Sequence, residues 1–328
     1  MRPQKTEKNN LDSIAVVIPC YKVEKQIQKV IAELPDWITS IILVDDASPD
    51  NTGEIIETLA LESSKITVLY HEKNQGVGGS MMTGFKEAIR QGQDIVIKID
   101  GDGQMDVSYL EKMRHAIVDQ KYDYAKGNRF FNREMINSMP AIRRFGNIGM
   151  GFLIRMASGY WNIFDPTNGF LCIRTSVLKE IDFTRLSKRF FFESSLLIEL
   201  YYCGAKIKDI PMPAIYAQEK SNLSVWKTLF SFPPKLFKAF IRRIWFRYFI
   251  SDFNIGSVYL LFGLPSFLFG LIFGIIKWIH YAQLDIPAPT GTIMVAVISL
   301  VLGFQMILAA IQYDIVDKNP YAQDQNSD

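Results

Sequence analysis

Short apolar runs alternate with amphipathic stretches along residues 14–119 of the chain. The runs have the length and β-branched content of buried strands, and the stretches between them repeat apolar residues with the period of a helix. The predicted strands are residues 14–18, 38–44, 66–70 and 95–99, and the predicted helices are residues 23–34, 80–90, 108–119 and one that begins near residue 52. This alternation predicts an α/β domain in which helices flank a mostly parallel sheet.

The pattern changes after residue 250, where charged residues almost disappear. One uncharged run covers residues 255–276 and a second covers residues 287–313. A helix formed by the first run would be about 33 Å long, close to the thickness of the hydrocarbon core of a bilayer. We interpret residues 251–313 as a transmembrane hairpin with spans at 255–278 and 289–312. Two buried helices of a soluble core are the alternative.

The segment that precedes the first span, residues 226–250, is basic and amphipathic. On a helical wheel, six large apolar residues share one face: Phe237, Phe240, Ile241, Ile244, Trp245 and Tyr248. Four cations lie largely opposite: Lys235, Lys238, Arg242 and Arg243. This predicts juxtamembrane helices in the headgroup layer, with their cations toward anionic lipid and Pro233 and Pro234 at the start. A core-packing helix with a solvated basic face is the alternative.

The distribution of charge also predicts an orientation. Lysine and arginine are frequent before the first span, whereas the link between the spans holds a single lysine, Lys277. The positive-inside bias therefore places residues 1–250 in the cytoplasm, and two spans return the tail at residues 314–328 to the same side. Residues 1–12 are polar, without the apolar core of a signal peptide, and are predicted to be a disordered tail. Residues 13–225 form the predicted cytoplasmic catalytic domain.

Composition removes several classes of function. The net charge of +2 gives no reason to expect nucleic acid as a partner. The three cysteines fit neither a disulfide framework nor paired zinc ligands, and we interpret them as buried free thiols. The glycine-rich stretch "NQGVGGSMMTGFK" has Met81 where a dinucleotide fingerprint needs its third glycine, and Phe85 where a P-loop needs lysine. Dehydrogenase and NTPase functions are therefore disfavoured.

Pairs of acidic residues follow two of the predicted strands. Asp45 and Asp46 end the second strand, and Asp100 and Asp102 end the fourth. Ligands of open α/β sheets bind at the carboxyl ends of the strands. Carboxylates so close together repel each other unless a cation lies between them, and Mg²⁺ or Mn²⁺ commonly bridges one or two carboxylates to a substrate phosphate. The sequence predicts such a metal at this edge.

Six segments occur in a characteristic order: "VVIPCYKVEKQI", "ILVDDASPDNT", "NQGVGGSMMTGF", "KIDGDGQ", "GNRF" and "DPTNGF". Together they resemble glycosyltransferase family 2, and most closely its polyprenyl-phosphate glycosyltransferases, over residues 12–225. The two spans resemble the bactoprenol type. The resemblance implies a nucleotide-sugar-binding GT-A fold, followed here by the amphipathic helix and the hairpin.

The resemblance also implies roles for the matched residues. The implied catalytic residues are Asp165, Arg129 and Asp102, and the implied ligands of Mg²⁺ or Mn²⁺ are Asp100, Asp102 and Gln104. The residues implied to bind the donor or the acceptor are Pro19, Tyr21, Glu24, Asp46, Asp50, Gly76, Asp100, Gln104, Arg143, Asn147 and Lys220.

Some matched positions depart from the family or have a structural alternative. Lys22 stands where the family often has asparagine, Val77 replaces a frequent lysine, and the segment around Lys220 matches only loosely. Asp50 could instead cap the helix that begins near residue 52. Glu193 could be a satisfied core acid or a support for the site.

The implied reaction is inverting transfer of a sugar from a nucleoside diphosphate sugar, UDP-glucose, to a polyprenyl phosphate in the bilayer. The implied location is the cytoplasmic face of a bacterial inner membrane, and the implied assembly is a homo-oligomer, a tetramer. The alternatives are a GDP-mannose-using enzyme of the dolichol-phosphate mannose synthase type and a catalytically inactive, membrane-anchored nucleotide-sugar-binding protein. A processive polysaccharide synthase is disfavoured because the chain has two spans and lacks a QxxRW-type motif.

Overall fold

The computed structural model describes residues 12–131, 141–213 and 225–316, without the side chains of residues 131, 141–145, 147 and 225–229. Of the two predicted tails, residues 1–11 and 317–328 lie outside the described residues. The chain divides into two compact units, residues 1–236 and 237–328, which are described separately.

The first unit contains a seven-stranded mixed sheet. Its strands are β1 (Ile14–Cys20), β2 (Ser40–Asp45), β3 (Ile66–Tyr70), β4 (Ile95–Lys98), β5 (Tyr124–Asn128), β6 (Leu171–Arg174) and β7 (Ile207–Pro211), in the spatial order β3-β2-β1-β4-β6-β5-β7. Strand β6 is antiparallel to both of its neighbours, β4 and β5, and the other pairs are parallel. The mostly parallel sheet expected from the sequence is confirmed.

Helices cover the sheet, as expected for strands as apolar as β1, whose residues are nearly all buried. The helices described in this unit are α1 (Ile27–Ala32), α2 (Thr52–Glu62), α3 (Val77–Arg90), α4 (Leu110–Val118), α5 (Ala141–Ser158), α6 (Thr175–Leu178) and α7 (Phe192–Tyr202), and α8 (Val225–Trp245) runs from this unit into the second. Helix α3 lies very close to β1. Gly84 allows this approach, since a Cβ at this position would collide with the side chain of Val17. This contact fixes the glycine-rich stretch against the centre of the sheet.

The topology brings several loops to one edge of the sheet. Strands β1, β2, β4 and β5 are parallel in the sheet frame, so their carboxyl ends share an edge, and antiparallel β6 begins there. Lys98 near the end of β4, Leu171 at the start of β6 and Lys126 in β5 are paired in one row across the sheet. The segments after β2, β4 and β5 and the segment before β6 therefore meet at the same place.

The second unit contains two long apolar helices, α9 (Ile255–Gln283) and α10 (Thr290–Val316), which have the length and composition to cross a membrane. Most of their side chains are exposed, unlike those of core helices in a soluble domain. Small residues let the two backbones approach: a Cβ on Gly270 would lie 2.5 Å from the backbone N of Leu300, and one on Gly303 would collide with the backbone of Phe267. Close packing through glycine is typical of transmembrane helix pairs.

Two expectations for the basic segment are wrong. Pro233 and Pro234 lie inside α8, which begins at Val225. The φ of proline is compatible with a helix, although each proline removes a hydrogen-bond donor and crowds the preceding turn. Arg243 is not solvated: it is 1% exposed and makes two hydrogen bonds to Asp314 near the end of α10, at 2.7 and 2.8 Å. Tyr248 also donates to Asp314, at 3.0 Å. Among the apolar residues of the predicted face, Phe237 and Trp245 are exposed.

The cysteines are free thiols, and Cys20 and Cys172 are buried as expected. Cys203 is only half-buried, because it follows the last turn of α7 rather than lying in a strand.

Candidate active site

Asp100 leaves the end of β4 and is held by a buried lysine. The ammonium of Lys98, which is 1% exposed, donates to Oδ1 of Asp100 at 2.6 Å and lies 3.5 Å from Oε1 of Glu193 on α7. Burial by itself would lower the pKa of Lys98, but the two carboxylates outweigh burial and raise it. Lys98 therefore carries a charge that orients Asp100, whose side chain is 35% exposed.

The following turn carries Asp102, two residues after Asp100. Gly103 has φ of +73°, a conformation that glycine adopts without strain, and it turns the chain so that the backbone N–H of Gln104 donates to Oδ1 of Asp102 at 3.0 Å. Among the described residues, no group of three or more His, Cys, Asp or Glu side chains could enclose a metal ion. Two carboxylates without a third acid fit Mg²⁺ or Mn²⁺ that completes its shell with phosphate oxygens. They do not fit a metal held by protein ligands alone.

The carboxylate of Asp46, which follows β2, accepts hydrogen bonds from the glycine-rich segment. Asp46 is 2% exposed, and its carboxylate accepts from the backbone N–H groups of Gln75, at 2.8 Å, and Gly76, at 2.7 Å. Nδ1 of His71 lies 2.7 Å from Oδ1 of the same carboxylate. Asp46 thus holds the loop that begins α3, and the predicted contact of Asp46 with the donor stays a prediction.

Gly76 has a structural reason to be glycine. Its φ is +86°, and a Cβ at this position would lie 2.7 Å from the backbone oxygen of Lys188. The loop therefore packs directly on the segment that precedes α7. Its predicted contact with the donor also stays a prediction.

Three of the residues implied to bind the donor or the acceptor lie around the ends of β1 and β2. Tyr21 follows β1 and is 44% exposed, and Pro19 is paired with Val44 inside the sheet. Oε2 of Glu24 accepts from the backbone N–H of Asn51 at 3.1 Å. Glu24 thereby ties the segment after β1 to the loop that carries Asp50.

Asp50 makes a weak contact with the start of α2. Its Oδ1 lies 3.4 Å from the backbone N of Thr52, and the N-cap residue of the helix is Asn51. The side chain is half-buried. A role for Asp50 in donor binding stays a prediction beside this capping contact.

Arg129 and Asp165 form a bidentate ion pair. Nε of Arg129 donates to Oδ2 of Asp165 at 2.7 Å, Nη2 donates to Oδ1 at 3.1 Å, and the backbone N–H of Arg129 also donates to Oδ2. Asp165 is 0% exposed, whereas the side chain of Arg129 is 36% exposed. Burial would raise the pKa of Asp165, but Arg129 and the more distant Lys126 outweigh burial and hold that pKa below its usual value.

The segment of Asp165 packs on the cluster around Lys98. A Cβ on Gly169 would lie 2.5 Å from Nζ of Lys98, 3.2 Å from Oδ2 of Asp100 and 3.5 Å from Oε1 of Glu193. The predicted metal site and the segment that carries Asp165 therefore meet at the same edge of the sheet. Both expected roles of Glu193 fit, since it is a nearly buried acid that supports Lys98.

Sequence reasoning missed the two buried lysines. Lys98 interrupts the apolar run "IVIKI", and Lys126 lies in "YAKGN", where β5 is fully buried. A lysine inside a buried strand is the signal that could have identified both, because such a charge requires a partner. The side chains of Arg143 and Asn147, on α5, and all of Lys220 lie outside the described residues, so their predicted roles stay predictions.

The family described as "Glycosyl transferase family 2" matches residues 15–182, just over half of the chain. The chain belongs to glycosyl transferase family 2. The resemblance drawn from the six ordered segments is confirmed.

Relatives within this glycosyltransferase family include enzymes named for lipid phosphate acceptors. The UDP-N-acetylglucosamine–dolichyl-phosphate N-acetylglucosaminyltransferase of Methanococcus voltae is 32% identical over 218 residues, which cover 62% of this chain and 86% of the relative. The undecaprenyl-phosphate mannosyltransferase of Micrococcus luteus is 26% identical over 202 residues, which cover 61% of this chain and 82% of the relative.

A solved structure shares the fold of this glycosyltransferase. Glucosyl-3-phosphoglycerate synthase from Mycobacterium tuberculosis, in complex with Mn²⁺, UDP and phosphoglyceric acid, superposes with a TM-score of 0.50. The match is 17% identical and covers 71% of this chain and 78% of that chain. At this identity the similarity shows the fold alone, and the GT-A fold expected from the sequence is confirmed.

Proposed function

We propose that this glycosyltransferase transfers a sugar, with inversion, from a nucleoside diphosphate sugar to a polyprenyl phosphate. UDP-glucose is the proposed donor. The observation that carries the proposal is the meeting, at one sheet edge, of the Asp100–Asp102 carboxylates with the Arg129–Asp165 ion pair. The named acceptors of the relatives support a lipid phosphate.

The chain's own charges fit the demands of this transfer. A lipid phosphate has a second pKa near 6 and is mostly a dianion at pH 7, so it can attack the anomeric carbon without a strong base. Asp165, already paired with Arg129, is therefore proposed to orient the sugar or the acceptor rather than to remove a proton. Direct displacement converts an α-linked donor into a β-linked product.

The leaving diphosphate gains negative charge as the glycosidic bond breaks. Arg129, whose side chain is partly exposed, is proposed to face a phosphate, which its planar fork can bind in bidentate fashion. Asp100 and Asp102, with Gln104, are the residues that would hold Mg²⁺ or Mn²⁺, and a bound cation would supply charge neutralisation for the leaving group. The mycobacterial structure that shares the fold contains Mn²⁺ and UDP, which is consistent with a divalent cation in this reaction.

The apolar hairpin supports a reaction at a membrane. The lipid tail of the acceptor cannot leave the bilayer, and α9 and α10 have the length and composition to anchor the enzyme there. We propose the cytoplasmic face, from the excess of lysine and arginine before the first span. The bacterial inner membrane and a homo-tetramer stay predictions from the family resemblance.

The test is a product assay with membranes that contain the full chain. Radiolabelled UDP-glucose, UDP-N-acetylglucosamine and GDP-mannose are each supplied with polyprenyl phosphate, and the label is separated into lipid-soluble, polymeric and free fractions. Lipid-soluble label from UDP-glucose supports the proposal. Label from UDP-N-acetylglucosamine favours the second donor, which the Methanococcus relative suggests, and label from GDP-mannose favours the mannose alternative. Polymer, or no transfer, contradicts the proposed function.

A further inference from the structure

Lys126 is a buried cation that the proposed mechanism does not use. It is 0% exposed, and its Nζ has no hydrogen-bond partner among the described residues. An ammonium in such a place is costly unless nearby charges compensate for its lost hydration. Its position therefore calls for a functional explanation.

Two further buried polar atoms without a hydrogen-bond partner lie on the same face of the sheet. Tyr124 precedes Lys126 by two residues in β5, so both side chains point to one face. Asp209 of β7 is paired with Lys126, about 5 Å away across the strands, and its Oδ1 is the third such atom. This part of the core is polar but not saturated with hydrogen bonds.

The charges around Lys126 identify its main partner. Asp165 has the largest favourable effect on the ammonium, followed by Asp209 and Glu193, while Arg129 opposes it. The phenol of Tyr124 and the ammonium of Lys98, which stands in the same row across the sheet, are further titratable groups on that face. Burial still dominates and lowers the pKa of Lys126 to about 8, so the ammonium is mostly protonated at pH 7. The segment that carries Asp165 packs against β5 next to Lys126, since a Cβ on Gly127 would lie 2.6 Å from Nδ2 of Asn168. Asp165 thus has two cations: Arg129 in direct contact and Lys126 at longer range.

These two cations differ in their freedom to move. Arg129 reaches Asp165 from a partly exposed position, whereas Lys126 is enclosed in the core. A guanidinium can make its bidentate contact with a carboxylate or with a phosphate. If Arg129 left Asp165 without a replacement, a fully buried carboxylate would lose its direct counterion, which is strongly unfavourable.

We propose that Lys126 is a positioning residue, a reserve counterion that keeps Asp165 ionised and in place when Arg129 turns toward a substrate phosphate. This inference rests on the proposed function, because the phosphates of that reaction are what would draw Arg129 away. Lys126 has this role only while Arg129 contacts a substrate phosphate instead of Asp165.

The test is a double-mutant cycle that imitates the departure of Arg129. Thermal unfolding of the purified full chain is measured for the wild type, Lys126→Met, Arg129→Gln and the double variant, all at pH 7. We expect Lys126→Met alone to leave the midpoint nearly unchanged or to raise it, and to lower it by more than about 5 °C in the Arg129→Gln background. Lys208→Met, a neighbouring position in β7 on the opposite face, is the matched control and should have the same small effect in both backgrounds.

Each outcome of this cycle either supports or overturns the role of Lys126 as a reserve counterion. Equal effects of Lys126→Met in both backgrounds overturn the proposal. Failure of Lys126→Met alone to fold also overturns it, because Lys126 would then be needed while Arg129 is in place. Failure of Arg129→Gln alone to fold overturns it as well, because the reserve charge would not have sufficed. A double variant that cannot fold, beside two single variants that do, supports the proposal.

Turnover supplies a second measurement. We expect Lys126→Met to lower kcat about 10-fold or more with little change in the donor KM, and Lys126→Arg, which keeps the charge, to restore part of the loss. An unchanged kcat in Lys126→Met contradicts the role in turnover. If the wild type transfers no sugar to lipid, the proposed function fails, while the unfolding cycle still decides whether Lys126 is a reserve counterion.

Discussion

Gly169→Ala is expected to damage the site without introducing backbone strain. The added Cβ would lie 2.5 Å from Nζ of Lys98, about 1 Å closer than an ordinary van der Waals contact. Lys98 is 1% exposed and held between Asp100 and Glu193, so its ammonium has little room to retreat. The substitution should therefore lengthen or break the 2.6 Å hydrogen bond from Lys98 to Asp100.

The magnitude follows from what that bond holds. A hydrogen bond between charged groups contributes about 1.5–3 kcal/mol. Asp100 is one-third exposed, and water replaces part of the lost bond, so we expect a stability loss near the lower end, about 1.5 kcal/mol. Turnover should fall further, by up to about 100-fold, because a displacement of about 1 Å in a catalytic site can have that effect.

The assay combines transfer of labelled sugar to polyprenyl phosphate, measured over a range of Mn²⁺ concentrations, with thermal unfolding. Gly291→Ala is the matched control, since a Cβ there would meet no atom within 4 Å. We expect Gly169→Ala to need more Mn²⁺ for half-maximal turnover and the control to behave like the wild type. Wild-type turnover and Mn²⁺ dependence in Gly169→Ala would refute the steric reasoning.

Three further predictions address the site. Asp102→Ala should lose most of the turnover while the protein remains in the membrane fraction; near-normal transfer by this variant would remove the metal from the proposed mechanism. The pKa of Asp165 is below its usual value, so this group stabilises the fold above about pH 4 and the contribution is lost as the pH falls further; the midpoint of thermal unfolding should drop on acidification, and Asp165→Asn should show a smaller drop. The pKa of Lys126 is lowered to about 8, so its burial opposes folding below that pH and the penalty fades as the pH rises toward about 10.5; any stability gain of Lys126→Met should shrink over this interval, and a constant gain would contradict the assignment.

The sequence was most informative where apolar residues were continuous. Strands β1 to β4 lie close to the predicted runs, because each is formed mostly by a short series of apolar and β-branched residues. Strands β5, β6 and β7 were not predicted: they are short and contain charged residues such as Lys126, Arg174 and Asp209. Those charges interrupt the hydrophobic pattern.

The functional residues and buried charges also divide into those that the sequence predicts and those that it does not. Asp100, Asp102, Arg129 and Asp165 could be selected from ordered motifs, since each motif keeps its residues at fixed spacing. The buried pair of Arg243 with Asp314 joins residues far apart in the sequence, and a helical wheel placed Arg243 toward lipid. Local periodicity specifies which face of a helix a residue occupies, but not what packs against that face.

The sequence alone therefore determined the family, the apolar hairpin, the first four strands and the acids at their carboxyl ends, because these depend on local pattern and fixed motif spacing. Only the tertiary structure decided that β6 runs antiparallel between β4 and β5, so that Lys98 and Lys126 lie in one row across the sheet. In this row Lys98 is the cation next to Asp100, and Lys126 is a second cation for Asp165. The reason is physical: strand pairing and the compensation of buried charge are interactions between distant segments. Their energies depend on which groups share the low-dielectric interior, and this is defined only once the chain has folded.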